Sequence, residues 1–169
     1  GSKSPLIAPA PGASLADRFA EVKEAAAAIK AAKTVVVYGT GAVGLEVAGD
    51  IRARNPEKRV VLVSRDGSIL GAESPALRAR ALPVLKKMKI EVLKGTAGPD
   101  FMQPKLTSGI VPLSNGSVSE LQYDVWIPAF AQGPNTNFLK DSGALDERGR
   151  IAANDCLQST KFPEIFGCA

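Results

Sequence analysis

The feature that most constrains this chain is the stretch from Thr34 to Ile51, which reads TVVVYGTGAVGLEVAGDI. Its β-branched start predicts a strand that ends at Tyr38, and Val43, Val47 and Ile51 recur every four positions, as on one face of a helix. Between these elements the glycines have the spacing G-x-G-x-x-G, which is typical of a turn that faces a phosphate. The stretch therefore predicts a strand, a tight turn and a helix N-terminus in succession.

Each glycine of this turn has its own physical reason. Gly39 lets the chain leave the strand sharply, Gly41 has no side chain where a diphosphate would approach the backbone, and Gly44 lets the helix lie close to the sheet. The free N–H groups and the positive end of the helix dipole would then face the anion. The alternative is a glycine turn used only in packing. We expect the diphosphate at the turn residues Gly39, Thr40, Gly41, Ala42, Val43 and Gly44.

The composition is that of an ordinary globular protein. The chain has 169 residues, of which 45% are hydrophobic and 22% charged, and this length favours one domain with a sizeable core. Gly1-Ser2 is typical of a protease-site scar, and residues 1–13 read as this scar and an extended lead-in. The sequence has no apolar run long enough for a bilayer and no signal-peptide pattern, so we expect an intracellular protein, cytoplasmic or mitochondrial.

Charge and cysteine content exclude several function classes. The net charge of +4 is mild, and one Trp, two Tyr and six Phe are too few to form stacking platforms, so the basic clusters are better explained as solvated helix faces than as a nucleic-acid site. Cys156 and Cys168 have neither metal-ligand nor C-x-x-C spacing, which favours two free thiols and no metal site. The absence of histidine removes the usual general base.

Periodicity along the rest of the chain predicts alternating helices and strands. Ser14 and Asp17 form a capping pair before a helix, and Ser74-Pro75 is typical of a second helix start. Pro83 predicts that this second helix either kinks or begins there. The apolar positions of the first helix are Leu15, Phe19, Val22, Ala26 and Ile29, and further buried strands are predicted at 60–63 and 90–93.

The pattern changes after the third strand. Residues 109–113 and 118–122 flank the turn Ser114-Asn115-Gly116-Ser117 and predict an antiparallel hairpin. Another apolar strand is predicted at 124–129, returning towards the glycine turn, and short strand signals follow at 150–153 and 164–168. The sequence therefore predicts an α/β fold with a Rossmann-like parallel sheet, helices on both faces and a small antiparallel hairpin layer.

Three segments together resemble one known family. They are VVVYGTGAVGLEVAGDI at 35–51, IPAFAQGPNTNFL at 127–139 and DCLQSTKFPEIFGCA at 155–169. In this order they resemble the NAD(P)H-binding domain of the FAD-dependent pyridine nucleotide-disulfide oxidoreductases, within the branch similar to apoptosis-inducing factor and type II NADH dehydrogenases. The resemblance implies that the three glycines of the turn hold the NAD(P)H diphosphate. It also implies that residues at the end of the 124–129 strand, Ala129, Phe130 and Ala131, lie near the nicotinamide.

The same resemblance assigns a role to Glu46, which matches a glutamate near the nicotinamide and flavin rings and is the one catalytic candidate. The alternative is an ordinary acid in the first turn of the helix, favoured by the dipole. The family has Ala-Thr-Gly where this chain has Ala129-Phe130-Ala131, so a methyl group and a ring replace the expected small turn.

The choice between NADH and NADPH stays open at the end of the second strand. An acidic residue there normally accepts the ribose hydroxyls of NADH, whereas this chain has Ser64, Arg65 and Asp66. Without a carboxylate at position 64 a 2′-phosphate is not repelled, and Arg65 could pair with it. Alternatively, Arg65 lies over the adenine or points to solvent.

The family also has a flavin-binding glycine fingerprint that this chain lacks, and FAD is therefore not expected on these residues alone. We expect residues 14–154 to form the NAD(P)H-binding domain and residues 155–169 to be a returning segment of an incomplete FAD domain. The predicted function is an FAD-dependent oxidoreductase that passes hydride from NAD(P)H to flavin and on to an acceptor such as a quinone. This piece alone is expected to be inactive, and its partners are expected to be NAD(P)H and the flavin domain of the same parent chain.

Two rival functions are open to the same sequence. The first is a non-catalytic module that senses nucleotides or binds partners, which the changes at Phe130 and Ala131 would favour. The second is a self-sufficient dehydrogenase, which is disfavoured because the chain has neither a Tyr-x-x-x-Lys pair nor a catalytic histidine.

Overall fold

The structure is a computed structural model that describes residues 12–71, 73–130, 133–134 and 136–167. These residues form two compact units, the first reaching as far as Phe130 and the second containing the described residues from Gly133 onward. The predicted domain boundary between 154 and 155 stays a prediction. The lead-in at 1–11 and both Ala131 and Cys168 lie outside the described residues.

The first unit contains three α-helices and seven strands. The helices are α1 (Leu15–Ala31), α2 (Ala42–Arg54) and α3 (Pro75–Lys87). The strands are β1 (Thr34–Tyr38), β2 (Arg59–Ser64), β3 (Ile90–Lys94), β4 (Thr96–Ala97), β5 (Gly109–Ser114), β6 (Glu120–Tyr123) and β7 (Val125–Pro128). A short 3-10 helix, Pro99–Phe101, follows β4.

Four of the strands form a parallel sheet in the order β3-β2-β1-β7. The registers Val37↔Leu62 and Val37↔Ile127 show that β1 lies between β2 and β7. The carboxyl ends of β1, β2 and β7 therefore meet at one edge, where parallel sheets hold their ligands. The remaining strands form an antiparallel sheet in the order β4-β5-β6, which contains the predicted hairpin. The α/β class with a Rossmann-like parallel sheet and a small antiparallel layer is confirmed.

The two faces of the parallel sheet are covered differently. Val35 and Val37 face a cluster that includes residues of all three α-helices, such as Ile29, Ala48 and Leu85. The opposite face, which carries Val36, Tyr38 and Trp126, packs against Val111, Leu121 and other residues of the antiparallel sheet. The expectation of helices on both faces is therefore wrong for the described residues. Strands that are apolar on both faces predict that both are covered, and they do not indicate what covers them.

The predicted helix starts are confirmed. Ser14 and Asp17 form the capping box of α1, with the Ser14 amide 2.9 Å and the Ser14 hydroxyl 2.7 Å from Asp17 Oδ2. The Leu77 amide donates to the Ser74 hydroxyl at α3. This helix runs continuously from Pro75 to Lys87 with Pro83 inside it, so a separate helix that begins at Pro83 is ruled out.

The apolar stripe of α1 is buried only towards its C-terminal end. Ala25 is buried and Ile29 packs against the helix-side cluster, whereas Leu15, Phe19 and Val22 are exposed in the described residues. Helix α1 is thus anchored to the sheet by its last turns. None of the helices in the described part of the chain has the length and apolar character needed to cross a bilayer.

The second unit is built from short bridges rather than full strands. A 3-10 helix, Asn137–Leu139, is followed by antiparallel bridges that pair Leu145 with Ile151, Ala153 with Ser159 and Gln158 with Phe166. One partner of each bridge, namely Ile151, Ala153 and Phe166, lies in the regions 150–153 and 164–168 where short strand signals were predicted, and the other partner lies outside them. A lysine amine in this unit, Lys161 Nζ, donates to the Ser142 carbonyl at 2.9 Å.

Asp124, directly before β7, connects three segments of the first unit. Its Oδ2 accepts from the amides of Lys33 and Thr34 at 2.8 Å each, and its Oδ1 accepts from the Ser108 hydroxyl at 2.8 Å. The bond from the Thr34 amide is the largest cause that holds the pKa of Asp124 below its usual value, with the Ser108 bond next. The carboxylate therefore stabilises the entry to β1 in its ionised form.

We expect Asp124→Ala to lower the free energy of unfolding at pH 7 by about 1–3 kcal/mol, because two backbone donors lose their acceptor. Since the folded-state pKa is depressed, this contribution is present above the unfolded pKa and is lost as pH falls through the folded value. Urea unfolding of both proteins at pH 7 and at acidic pH measures the difference, with Asp124→Asn as the control that keeps an acceptor. Equal stability of Asp124→Ala and the unchanged chain at pH 7 would contradict this role.

Candidate functional site

The glycine turn lies at the carboxyl end of β1, between the ends of two neighbouring strands. The Gly39 amide donates to the Val63 carbonyl of β2 at 3.0 Å, and the Ala129 amide donates to the Tyr38 carbonyl at 2.8 Å. The turn is thus fixed from both sides at the edge where the parallel strands end.

Gly39 and Gly44 are required by the packing of the turn itself. Gly39 has φ +122°, and a Cβ built on it would lie 2.6 Å from the Ala129 carbonyl oxygen. A Cβ on Gly44 would lie 2.0 Å from the Gly39 carbonyl oxygen. Neither position has room for a side chain, because backbone atoms occupy the space.

Gly41 differs from both, because a Cβ on it would meet nothing within 4 Å. It is the N-cap of α2 with φ −73° and ψ −176°, an extended backbone that any residue can adopt, and it supplies no side-chain cap. The first amides of a helix have no partner within it, and no described residue accepts from those of Ala42, Val43 or Gly44. The turn therefore presents open space and unpaired donors at the positive end of a helix dipole, which suits a diphosphate.

The end of β2 combines a buried hydroxyl with an exposed cation. Ser64 is only 3% exposed, and its hydroxyl donates to Asp66 Oδ1 at 2.8 Å. Arg65 is exposed and makes no hydrogen bond or ion pair with any described residue. Of the two residues predicted here, Arg65 alone presents its side chain to a ligand from solvent.

Asp66 and Ser68 lie in the loop that follows β2, next to Ser64 and Arg65, although the sequence analysis assigned them no role. Asp66 Oδ1 also accepts from the Ser68 amide at 2.9 Å and the Ser68 hydroxyl at 2.8 Å. These bonds, led by the one from the Ser68 amide, lower the pKa of Asp66 to about 2. The spacing Ser-x-Asp-x-Ser is the signal that could have indicated them, since Asp side chains often bond to the backbone two residues on.

The end of β7 divides its side chains between the two faces of the sheet. Ala129 is buried in the helix-side cluster with Ile127, whereas the Phe130 ring packs edge-on against Tyr38 at 5.5 Å in the other cluster. The Phe130 ring thus lies on the face opposite the helices. Ala131, the third predicted residue of this turn, is outside the described residues.

Glu46 lies on α2 and is exposed. Helix α2 has no acidic residue in its first turn, so the alternative explanation of Glu46 as a first-turn acid is wrong. Glu46 has no hydrogen bond or ion pair among the described residues, and its role near the nicotinamide stays a prediction.

An apolar groove of about 670 Å³ adjoins the glycine turn. Its walls are α1, α2, the segment 103–106 and the end of β7, and they include Val22, Val43, Val47 and Ala129. Val22 of the α1 stripe and Val43 and Val47 of α2 therefore face the same space. This volume and the apolar lining are in the range of small-molecule binding sites.

The part of the chain that the structure describes contains no candidate metal-binding site. No group of three His, Cys, Asp or Glu side chains could hold an ion there. Cys156 is an exposed free thiol.

The comparisons with known proteins agree with this geometry. A family model for the pyridine nucleotide-disulphide oxidoreductases matches residues 1–169. The chain belongs to this family. An FAD-dependent oxidoreductase of Flammulina velutipes is 30% identical over 139 residues, covering 81% of this chain and 42% of that protein. The apoptosis-inducing factor homolog A of Dictyostelium discoideum is 24% identical over 190 residues, covering 98% of this chain and 45% of that protein.

A solved structure has the same fold. An engineered water-forming NADPH oxidase bound to NADPH superimposes with a TM-score of 0.61 at 19% identity, covering 98% of this chain and 35% of that one. The chain spans less than half the length of the two curated relatives described above. The chain is thus an oxidoreductase-family sequence that corresponds to part of its longer relatives.

Proposed function

We propose that this chain is the NAD(P)H-binding domain of an FAD-dependent oxidoreductase, which passes hydride from NAD(P)H to flavin and then to an acceptor such as a quinone. The observation that carries this proposal is the open corner at Gly41, where unpaired amides of α2 face free space at the carboxyl edge of the parallel sheet. Because the chain belongs to the pyridine nucleotide-disulphide oxidoreductases, a nicotinamide dinucleotide is the ligand that we expect at this turn.

The chain's own contribution is binding and orientation. The glycine turn would hold the diphosphate, and the end of β2 would receive the adenosine ribose with Arg65 beside it. The apolar groove next to Ala129 would receive the nicotinamide end and exclude water from it, and Glu46, exposed on α2, would lie near the nicotinamide. The nicotinamide and the flavin supply the redox chemistry.

NADPH bound to the engineered oxidase of the same fold is consistent with a nicotinamide dinucleotide as the ligand. FAD would be held by the remainder of the longer protein, since no second glycine fingerprint is present in these 169 residues. The exposed residues Leu15 and Phe19, which do not line the groove, offer an apolar surface that this remainder could cover.

Calorimetric titration of this chain with NADH and NADPH side by side tests the binding function. Saturable 1:1 binding of either nucleotide is expected. A folded chain that binds neither at millimolar concentration would refute the proposal for this piece.

Purification of the longer protein separates the enzyme from the non-catalytic alternative. A bound yellow flavin that NADH or NADPH bleaches is expected of the enzyme. A colourless protein that still binds the nucleotide would instead indicate a sensing or interaction module.

Arg65→Ala should weaken NADPH binding about tenfold while changing NADH binding little, because a charge-assisted bond to the 2′-phosphate is lost. Paired titrations with both nucleotides measure the ratio of the two effects. Arg54→Ala, which removes an exposed arginine at the end of α2, is the matched control. Equal effects of Arg65→Ala on both nucleotides would remove the role in 2′-phosphate binding.

A further inference from the structure

We propose that Asp66 is a positioning residue for the adenosine end of the nucleotide site, where it holds the loop after β2 against the glycine turn. This inference rests on the proposed function, because it assumes that the corner binds a dinucleotide. It concerns a residue that acts through its neighbours and need not touch the ligand.

The Asp66 carboxylate closes a turn in the loop after β2. One of its oxygens, Oδ1, takes three donors: the Ser64 hydroxyl, the Ser68 amide and the Ser68 hydroxyl, all at 2.8–2.9 Å. Residues 64 to 68 are thereby drawn into one compact turn that leaves Arg65 outside. These bonds lower the pKa of the carboxylate to about 2, so it stays ionised in mildly acidic as well as neutral solution.

Two hydrogen bonds join this turn to the glycine turn. The Thr40 hydroxyl donates to the Ser68 carbonyl at 2.8 Å, and the Leu70 amide donates to the Thr40 carbonyl at 2.8 Å. Thr40 stands between Gly39 and Gly41, so the loop is bonded to the segment that would cradle the diphosphate. Ser68 is shared by both sets of bonds, and Asp66 fixes Ser68.

The same loop contains two residues in the left-handed region of backbone conformation. Leu70 is 5% exposed and has φ +50°, and Gly67 has φ +81°. A leucine in the left-handed region is uncommon and persists only where its surroundings enforce it. The bonds at Thr40 and Asp66 hold the loop in this conformation together with the buried side chain of Ile69.

Because these bonds fix the loop after β2, they also fix the position of Arg65 relative to the glycine turn. The dinucleotide would have its diphosphate at Gly41 and its ribose at the end of β2, and the distance between them is set by the contact of the loop with Thr40. If Asp66 is removed, Ser64 and Ser68 lose their common acceptor, and the loop can move away from the turn. Both nucleotides should then bind more weakly, because both share the adenosine ribose and the diphosphate.

The test uses Asp66→Ala, Asp66→Asn and the matched control Asp50→Ala. Asp50 is an exposed carboxylate on α2 that has no hydrogen bond among the described residues. Affinities for NADH and NADPH are measured by calorimetric titration, and amide hydrogen exchange of the ligand-free chain is followed by NMR.

We expect Asp66→Ala to weaken NADH and NADPH by the same factor, about tenfold, and to accelerate amide exchange at Ser68 and Leu70 but not at Val61. Asp66→Asn keeps Oδ1 as an acceptor and should restore affinity to within about threefold, and Asp50→Ala should have no effect. A merely structural role would lower the melting temperature without the localised change in exchange.

Two results would overturn the inference while leaving the proposed function intact. One is unchanged affinity and exchange in Asp66→Ala. The other is a loss of NADH binding with a gain in NADPH binding, which would show that the carboxylate contacts the ribose directly. Failure of the unchanged chain to bind either nucleotide, with the exchange effect still present, would instead count against the proposed function.

Discussion

Gly41→Val should raise the Kd for NADH and NADPH by about 100-fold or more, equivalent to about 2.8 kcal/mol of binding free energy, while the chain stays folded. The valine side chain would enter space that no protein atom occupies within 4 Å of the Cβ, so the protein has no steric reason to unfold. That same space lies over the first amides of α2, where the diphosphate would sit. The side chain would therefore exclude the ligand and leave the core unchanged.

The matched control for this prediction is Gly49→Val on the same helix. Gly49 also has nothing within 4 Å of a Cβ, and it lies two turns away from the N-terminus of α2. Calorimetric titration should give normal affinity for Gly49→Val and no detectable binding for Gly41→Val, with similar melting temperatures for both. Normal binding by Gly41→Val would place the nucleotide elsewhere.

Gly44→Ala, unlike Gly41→Val, should destabilise the fold itself and lower the free energy of unfolding by about 3 kcal/mol or more. The added Cβ would lie 2.0 Å from the Gly39 carbonyl oxygen and 2.9 Å from its carbon. These are backbone atoms of the turn, so the clash can be relieved only if α2 moves away from β1. Such a shift would disturb the packing of Ala48 and Ile51 in the helix-side cluster.

Urea unfolding followed by circular dichroism measures this loss, with Gly49→Ala as the control. Gly49→Ala adds the same methyl group to the same helix in open space, and it should be neutral or stabilising by up to about 1 kcal/mol. If Gly44→Ala were as stable as the unchanged chain, α2 would not lie as close to β1 as the structure has it. Together, the two glycine substitutions separate the ligand-facing position of the turn from the packing position.

The parts of the fold that were predictable from the sequence are those fixed by local backbone chemistry. The sequence alone indicated the place of the three glycines, because the positive φ of Gly39 and the close approach of Gly44 to Gly39 are local to the turn, although Gly39 is also confined by the distant Ala129 carbonyl. The hairpin turn was predictable for the same reason, since Asn115 adopts φ +52° between β5 and β6. The capping box at Ser14 is likewise a matter of four neighbouring residues.

The parts that were not predictable depend on what packs against a given face. Val35 and Val36 are both fully buried, and nothing in their chemistry indicates that one meets helices and the other an antiparallel sheet. The exposure of Phe19 in the apolar stripe of α1 has the same origin, because a periodic pattern identifies a face and not its partner.

The candidate site shows the same division. The turn residues were predictable, whereas the Asp66 network was not, because its link to the glycine turn joins Thr40 to Ser68 across 28 positions. Arg65 was recognised as a candidate, but its exposure became evident only from the structure, in which the preceding Ser64 is buried and its hydroxyl bonds to Asp66. Hydrogen bonds between distant loops are tertiary facts that spacing alone does not contain.

The most direct test of the central claim is an amide NMR titration of this 169-residue chain with ADP-ribose, which carries the diphosphate without the nicotinamide. The account predicts that the largest shift changes occur at the amides of residues 41–44, with smaller ones at 64–70. Saturable shifts confined to other surfaces, or none at all in a folded sample, would contradict it.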